Sequence, residues 1–243
     1  MLLVAADAEP LAQPPDADAL VLDLADLDDA RHTETLQRWS ARAAARLALP
    51  DRWWARCSPW FRGVLHEELT TIARLPARPE GLLLADCRSA AQARAFVSLL
   101  GDCFGERRPA AAVALATPAA AAVAHEVGAV GGLAALVLDS EALAATALVP
   151  YRDGGLVVHA RLSVAFAAAA RALLCWEGPL TGPDSAELGA LAAAGVRGAL
   201  TSSPAALGHV RRALAPPADP RPGAAPEAEA LWRAWSGEPP TGP

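Results

Sequence analysis

The sequence predicts an α/β fold, a (β/α)8 TIM barrel with a C-terminal helical extension, and three observations carry that reading. The first is Ala19-Leu20-Val21-Leu22-Asp23-Leu24-Ala25-Asp26, an apolar run that ends in carboxylates. A strand buried on both faces reads as such a run, the habit of parallel sheets, whereas a half-exposed strand alternates. The second is recurrence, because apolar run, polar residue and helical segment follow one another down the whole chain. The third is length: 243 residues is the size of one such barrel. A doubly wound sheet is the alternative built from the same alternation.

The elements follow in order. Met1 to Ala5 is a first strand, and Asp7 to Asp18, with three prolines, is a loop. The run from Ala19 is the second strand, and Asp28-Asp29 cap a helix to about Leu47 with Leu36, Trp39, Ala43 and Leu47 near helical spacing. Trp53 to Cys57 is the third strand, ending in Ser58-Pro59, with a helix from about Arg62 to Arg74. Gly81 to Ala85 is the fourth, ending at Asp86, and Ser89 to Leu99 is helical. Ala110 to Ala116 is the fifth, closed by Thr117-Pro118 and a short helix to about Glu126. Leu133 to Leu138 is the sixth, ending in Asp139-Ser140, with Ser140 capping the helix Glu141 to Leu148. Val157 to Ala172 is a long Ala-rich helix, and Leu173 to Trp176 the seventh strand, ending in Glu177-Gly178-Pro179. Asp184 caps a helix to Ala194; Gly198 to Thr201 is the eighth strand, closing in Ser202-Ser203-Pro204, with a helix from Ala205 to Leu214. The barrel domain spans 1–216. Residues 217–243 hold a Pro-rich linker and a last amphipathic helix, Glu227 to Trp235, with Leu231, Trp232 and Trp235 on one side.

Composition excludes several functions. All 21 basic residues are Arg and the net charge is -6. A chain without Lys has no Schiff-base lysine and no Walker-type phosphate lysine. Without a basic stripe there is no nucleic-acid partner. The most apolar stretch, Pro109 to Leu138, is broken by Pro118, His125 and Glu126, which argues against a membrane span. No basic residue precedes Arg31, which argues against a secretory leader. Cys57, Cys87, Cys103 and Cys175 show no paired metal or redox spacing, fitting reduced thiols and a cytoplasmic location. The five histidines are scattered with no pair at ligand spacing, and no Gly-x-Ser-x-Gly elbow exists.

In a barrel, the residues ending the strands share one mouth. Here they are Asp23, Asp26, Arg56, Ser58, Asp86, Thr117, Asp139 with Ser140, Glu177, and Ser202 with Ser203. This is a ring of acids around one arginine. Carboxylates sharing a mouth repel unless a cation, an Arg or a proton intervenes, so one reading is a divalent-metal or acid/base site. The other is that each acid or hydroxyl caps the helix that follows.

The order of these motifs resembles the citrate lyase β-subunit-like branch of the HpcH/HpaI aldolase family, metal-dependent (β/α)8 lyases of 2-oxo acid or acyl-CoA substrates. The resemblance covers about Leu2 to Pro216. Ala19 to Asp26 is similar to that family's Asp-Leu-Glu-Asp strand, and Ala55-Arg56-Cys57-Ser58-Pro59 to its Val-Arg-x-Asn, whose Arg grips a substrate carboxylate or carbonyl. Glu80 to Asp86 resembles Gly-x-x-Leu-Pro-Lys, and Ala160-Arg161 through Ala170-Arg171-Ala172 resembles the helix ending in Ala-Arg-Ala. Gly195 to Ala199 followed by Ser203-Pro204 resembles Gly-Phe-x-Gly-Lys followed by His-Pro. The resemblance implies Arg56, Asp23 and Asp26 as catalytic residues and Arg56, Ser58, Thr117 and Asp86 as substrate-binding residues. It also implies Mg2+ as cofactor and a small-molecule carboxylate or acyl-CoA as ligand.

The departures fall on the metal. Where the family has a Glu and an Asp ligand, this chain has Ala116 and Ala142; the strand acid is Ala25, the strand Lys is Asp86, the loop Asn is Ser58 and the late His is Ser203. A methyl cannot coordinate a hard cation. Asp23, Asp86, Asp139 and Glu177 are the acids from which a relocated cation site would have to be built. Two functions follow: a carbon–carbon lyase with impaired or lost catalysis, or a non-catalytic binding or assembly subunit beside an active paralogue. The Trp232/Trp235 helix implies a homo-oligomer or a paralogue partner docked through the C-terminal helix.

Overall fold

The run from Ala19 is a strand and its register places the site. The computed structural model describes residues 2–5, 18–25, 27, 32, 34–38, 52–149 and 154–215. Among these the strands are β1 (Leu2–Ala5), β2 (Ala19–Asp23), β3 (Trp53–Cys57), β4 (Gly81–Leu84), β5 (Ala110–Leu115), β6 (Leu133–Leu138), β7 (Leu174–Leu180) and β8 (Gly198–Thr201). All pairings are parallel and run in chain order, and β8 pairs with β1, so the sheet curls back on itself. A doubly wound sheet reverses its strand order at a switch point; this order never reverses, which overturns that alternative.

The longer described helices are α1 (Leu65–Ala73), α2 (Ala90–Phe104), α3 (Pro118–Ala122), α4 (Ala124–Gly128), α5 (Ser140–Ala147), α6 (Gly155–Ala169), α7 (Ser185–Ala193) and α8 (Leu207–Leu214). Their starts are set by side-chain caps: Ser89, Thr117, Asp139 and Asp184 each accept a backbone N–H three residues on. The cap of α5 is therefore Asp139 and not Ser140, whose hydroxyl is used elsewhere. Helix α2 runs beyond Leu99 because Phe96, Leu100 and Phe104 continue its buried stripe, and it stops where Gly105 takes a positive φ of 63°. Strand β7 runs to Leu180 rather than ending at Trp176. It passes β8 so closely that a Cβ on Gly178 would lie 2.6 Å from the Leu200 carbonyl oxygen. Residues 34–38 are helical. The rest of the helix expected up to Leu47, the loop at 7–17, Asp26 and the C-terminal helix lie outside the described residues. No helix among the described residues is long and apolar enough to cross a membrane.

Side chains alternate across the sheet and fill two layers. Outside, Leu22, Trp53, Cys57, Leu82, Leu84, Val113, Leu136 and Cys175 pack against the helices. Inside the curl are Val21, Trp54, Leu83, Ala112, Ala114, Val137, Trp176 and Leu200. Trp54 and Trp176 meet edge to face with ring centroids 5.0 Å apart. Small neighbours offset their bulk: a Cβ on Gly81 would sit 2.3 Å from Trp54, and one on Gly198 2.5 Å from Trp176. The tryptophans thus close the interior beneath the mouth.

Candidate functional site

The site is the next layer up. Two residues beyond Val21, Trp54 and Val137 the alternation delivers Asp23, Arg56 and Asp139 to the inner face at the C-terminal ends of β2, β3 and β6. Asp23 and Arg56 are partners in the β2–β3 register. Asp139 lies across β4 and β5, and the long arginine reaches it through the interior. Arg56 Nη1 donates to Asp23 Oδ2 at 2.9 Å, and Nη2 donates to Asp139 Oδ2 at 3.3 Å. The other carboxylate oxygens are also used: Asp23 Oδ1 accepts the Ala25 N–H, and Asp139 Oδ1 accepts the Ala142 N–H. All three residues are buried, at 6%, 7% and 3% exposure. One guanidinium thus holds two carboxylates in a site shielded from water, an arrangement that survives burial only because each charge is hydrogen-bonded.

Among the other strand ends, Ala116 is a buried methyl just beyond β5, and Ala142 lies in the first turn of α5. Thr117 caps α3, its Oγ1 accepting the Ala120 N–H at 3.1 Å. Ser58 is wholly buried; its N–H donates to Glu68 and its hydroxyl to the Leu24 carbonyl. Asp86, with φ of 45°, pairs with Arg88 just after it, and Arg88 also stacks over the Phe61 ring at 4.6 Å.

Glu177 is turned the other way. Trp176 occupies the inner row, so Glu177 points outward to the helices, where Arg161 Nε of α6 donates to it at 3.2 Å and Ser140 Oγ of α5 donates to its other oxygen. Burial pushes this carboxyl up to about 7 even though Arg161 and Ser140 pull it down. The four acids Asp23, Asp86, Asp139 and Glu177 therefore do not converge. No group of three or more His, Cys, Asp or Glu suited to a metal is found among the described residues. With both mouth carboxylates committed to Arg56, the described donor set does not fit Mg2+.

The structure adds a second buried network that no strand-end motif marks. His32 Nε2 lies 2.5 Å from Glu68 Oε1, and Glu68 Oε2 accepts the Ser58 N–H, which ties the loop after β3 to α1 and to the segment after β2. The signal was available: Glu68 falls on the apolar stripe Leu65, Leu69, Ile72 of α1, where a solvated glutamate has no place. Arg161 gives the same signal, lying between Val157 and Val164 on the buried side of α6.

No protein-family model matches the sequence, and no curated protein matches it. Solved structures match its fold. RipC from Yersinia pestis superposes with a TM-score of 0.72 at 16% identity, over 89% of this chain and 95% of that one. The citrate lyase β subunit of M. tuberculosis, complexed with oxaloacetate and magnesium, gives 0.66 at 21% identity, over 82% and 88%. The protein CitE of Mycobacterium tuberculosis, in complex with magnesium, acetoacetate and coenzyme A, gives 0.70 at 21% identity, over 89% and 81%. By its parallel, inward-curled sheet and these superpositions, the chain has the α/β, TIM-barrel-like fold of RipC and the citrate lyase β subunits.

Proposed function

We propose that this chain is a citrate lyase β-like (β/α)8 barrel, spanning residues 1–216, that has lost metal-dependent carbon–carbon cleavage and serves as a non-catalytic binding or assembly subunit. The observation that carries the reading is the state of Arg56. In the lyase reading its guanidinium would present paired N–H groups to a substrate carboxylate. Here the same N–H groups are engaged by Asp23 and Asp139. A substrate carboxylate would have to displace one of these acids and bring a third negative charge into a layer holding one arginine. Without a divalent cation, the charge developing on an enolate leaving group has no adequate counter-charge. The neighbours' magnesium, oxaloacetate and coenzyme A are properties of those proteins; Ala116 and Ala142 are the residues that weigh against carrying them over.

The test is turnover and binding measured together. The full chain with Mg2+ or Mn2+ is assayed for cleavage of short 2-oxo acids and acyl-CoA substrates, and for pyruvate and oxaloacetate binding, beside the Arg56→Ala variant. The reading expects no cleavage above the uncatalysed rate and no difference between the two proteins in carboxylate binding. Metal-dependent turnover, or carboxylate binding that Arg56→Ala abolishes, overturns it in favour of an active lyase.

A further inference from the structure

The outer face of α6 is unlike that of a barrel helix. Such helices present charge to solvent; α8 does so, burying Leu207, Val210 and Leu214 while its last turn carries Arg211 and Arg212. The single charged residue of α6 is Arg161, which is buried and paired with Glu177. Its solvent side carries Leu156, Val158, Leu162 and Phe166, at 40%, 40%, 52% and 76% exposure. The polar groups on that arc are His159 and Ser163, and the Ser163 hydroxyl turns back to the His159 carbonyl. A helix whose solvent side carries four large apolar side chains is built to have that side covered.

We propose that it is covered by the C-terminal segment of the same chain, residues 227–235. In that segment Ala228, Leu231, Trp232 and Trp235 fall at i, i+3, i+4 and i+7, with Glu227, Glu229 and Arg233 on the other side of the helical wheel. Its length suits the surface: nine residues of helix span about 13 Å, and Val158 to Phe166 span about 12 Å. The connection also reaches. Helix α8 starts just after β8 and so ends at the N-terminal rim of the sheet; α6 ends shortly before β7 begins, at the same rim. Helix α7 packs beside α8, and α6 packs on β6 and β7, so at ~10 Å per interhelical step two to three steps separate α8 from α6. The segment 216–226, at ~3.1 Å per residue as an extended Pro-rich chain, reaches about 34 Å.

An isolated helix this short is marginal in water, so its amide protection reports docking. Hydrogen exchange on the full chain is expected to show residues 229–235 protected by about tenfold or more over coil rates, independently of protein concentration. Leu162→Glu/Phe166→Glu returns them to coil rates and leaves β5 and β6 unchanged. A thiol placed by Val158→Cys labels about tenfold faster when Trp232→Glu/Trp235→Glu is added, above the background of half-buried Cys103. Coil rates in the wild-type tail, or protection that survives Leu162→Glu/Phe166→Glu, overturn the proposal. Protection that fades on dilution together with a dimer mass overturns it too, and assigns the face to a second copy.

Discussion

Replacing Arg56 by Met tests the buried triad most severely. The substitution keeps the length and apolar stem of the side chain but removes the cation between Asp23 Oδ2 and Asp139 Oδ2, at 2.9 and 3.3 Å. Both carboxylates have side chains under 9% exposed, so solvent cannot replace the lost partner. Removing one member of such a buried ionic group costs about 3–5 kcal/mol. For a chain of this size that is a fall in Tm on the order of 10 °C. The assay is urea unfolding of wild type and variant at neutral pH, read at equal m-value. Arg56→Met/Asp23→Asn/Asp139→Asn should recover more than half of the loss, because it removes the uncompensated charges while Asn at 139 keeps the cap of α5. A single variant within about 1 kcal/mol of wild type, or a triple variant no better than the single, would refute the claim that Arg56 neutralises a desolvated mouth.

Two further predictions bear on the layers around the site. The Glu177 carboxyl stands at about 7 against an ordinary 4.5, so the folded chain holds this proton where the unfolded chain has released it. Its contribution is therefore present in full at low pH and lost as pH rises from 4.5 towards 7, and the stability of wild type relative to Glu177→Gln should fall across that window by on the order of 3 kcal/mol. Parallel stability–pH curves for the two proteins would show that this carboxyl is not desolvated. Gly81→Ala drives a methyl into the Trp54 ring and should cost about 1–3 kcal/mol by thermal melting, with Trp54→Leu relieving the clash in the double variant; additive losses in the pair would mean that the two do not share the space.

The fold was legible because its signal is spread over the whole chain. Parallel strands buried on both faces leave apolar runs, and Ser89, Thr117 and Asp184 mark helix starts by a cap that is itself a local interaction. The mouth was legible in part. Asp23, Arg56 and Asp139 follow from the two-residue period of their strands, and the structure brings them together. Sequence order alone does not say which face a residue takes once a strand runs on, and that is what separates Glu177 from the mouth acids. Had β7 ended at Trp176, Glu177 would sit on the rim; because the strand continues to Leu180, Glu177 alternates outward to Arg161. Nor does sequence reveal that Arg56 is consumed by the chain's own acids, since its partners come from β2 and from the residue after β6. Thr117 and Asp139 show that capping and mouth roles are not exclusive: Thr117 only caps among its described contacts, whereas Asp139 caps α5 with one oxygen and binds Arg56 with the other.

The most direct test of a mouth without a metal site is calorimetric titration of the full-length chain with Mn2+ and Mg2+ at near-neutral pH. With Asp23 and Asp139 held by Arg56, and with no group of three or more potential metal ligands among the described residues, the account predicts no saturable heat up to millimolar metal. A saturable one-site isotherm that disappears in Asp23→Asn or Asp139→Asn would contradict it and restore the mouth as a metal centre.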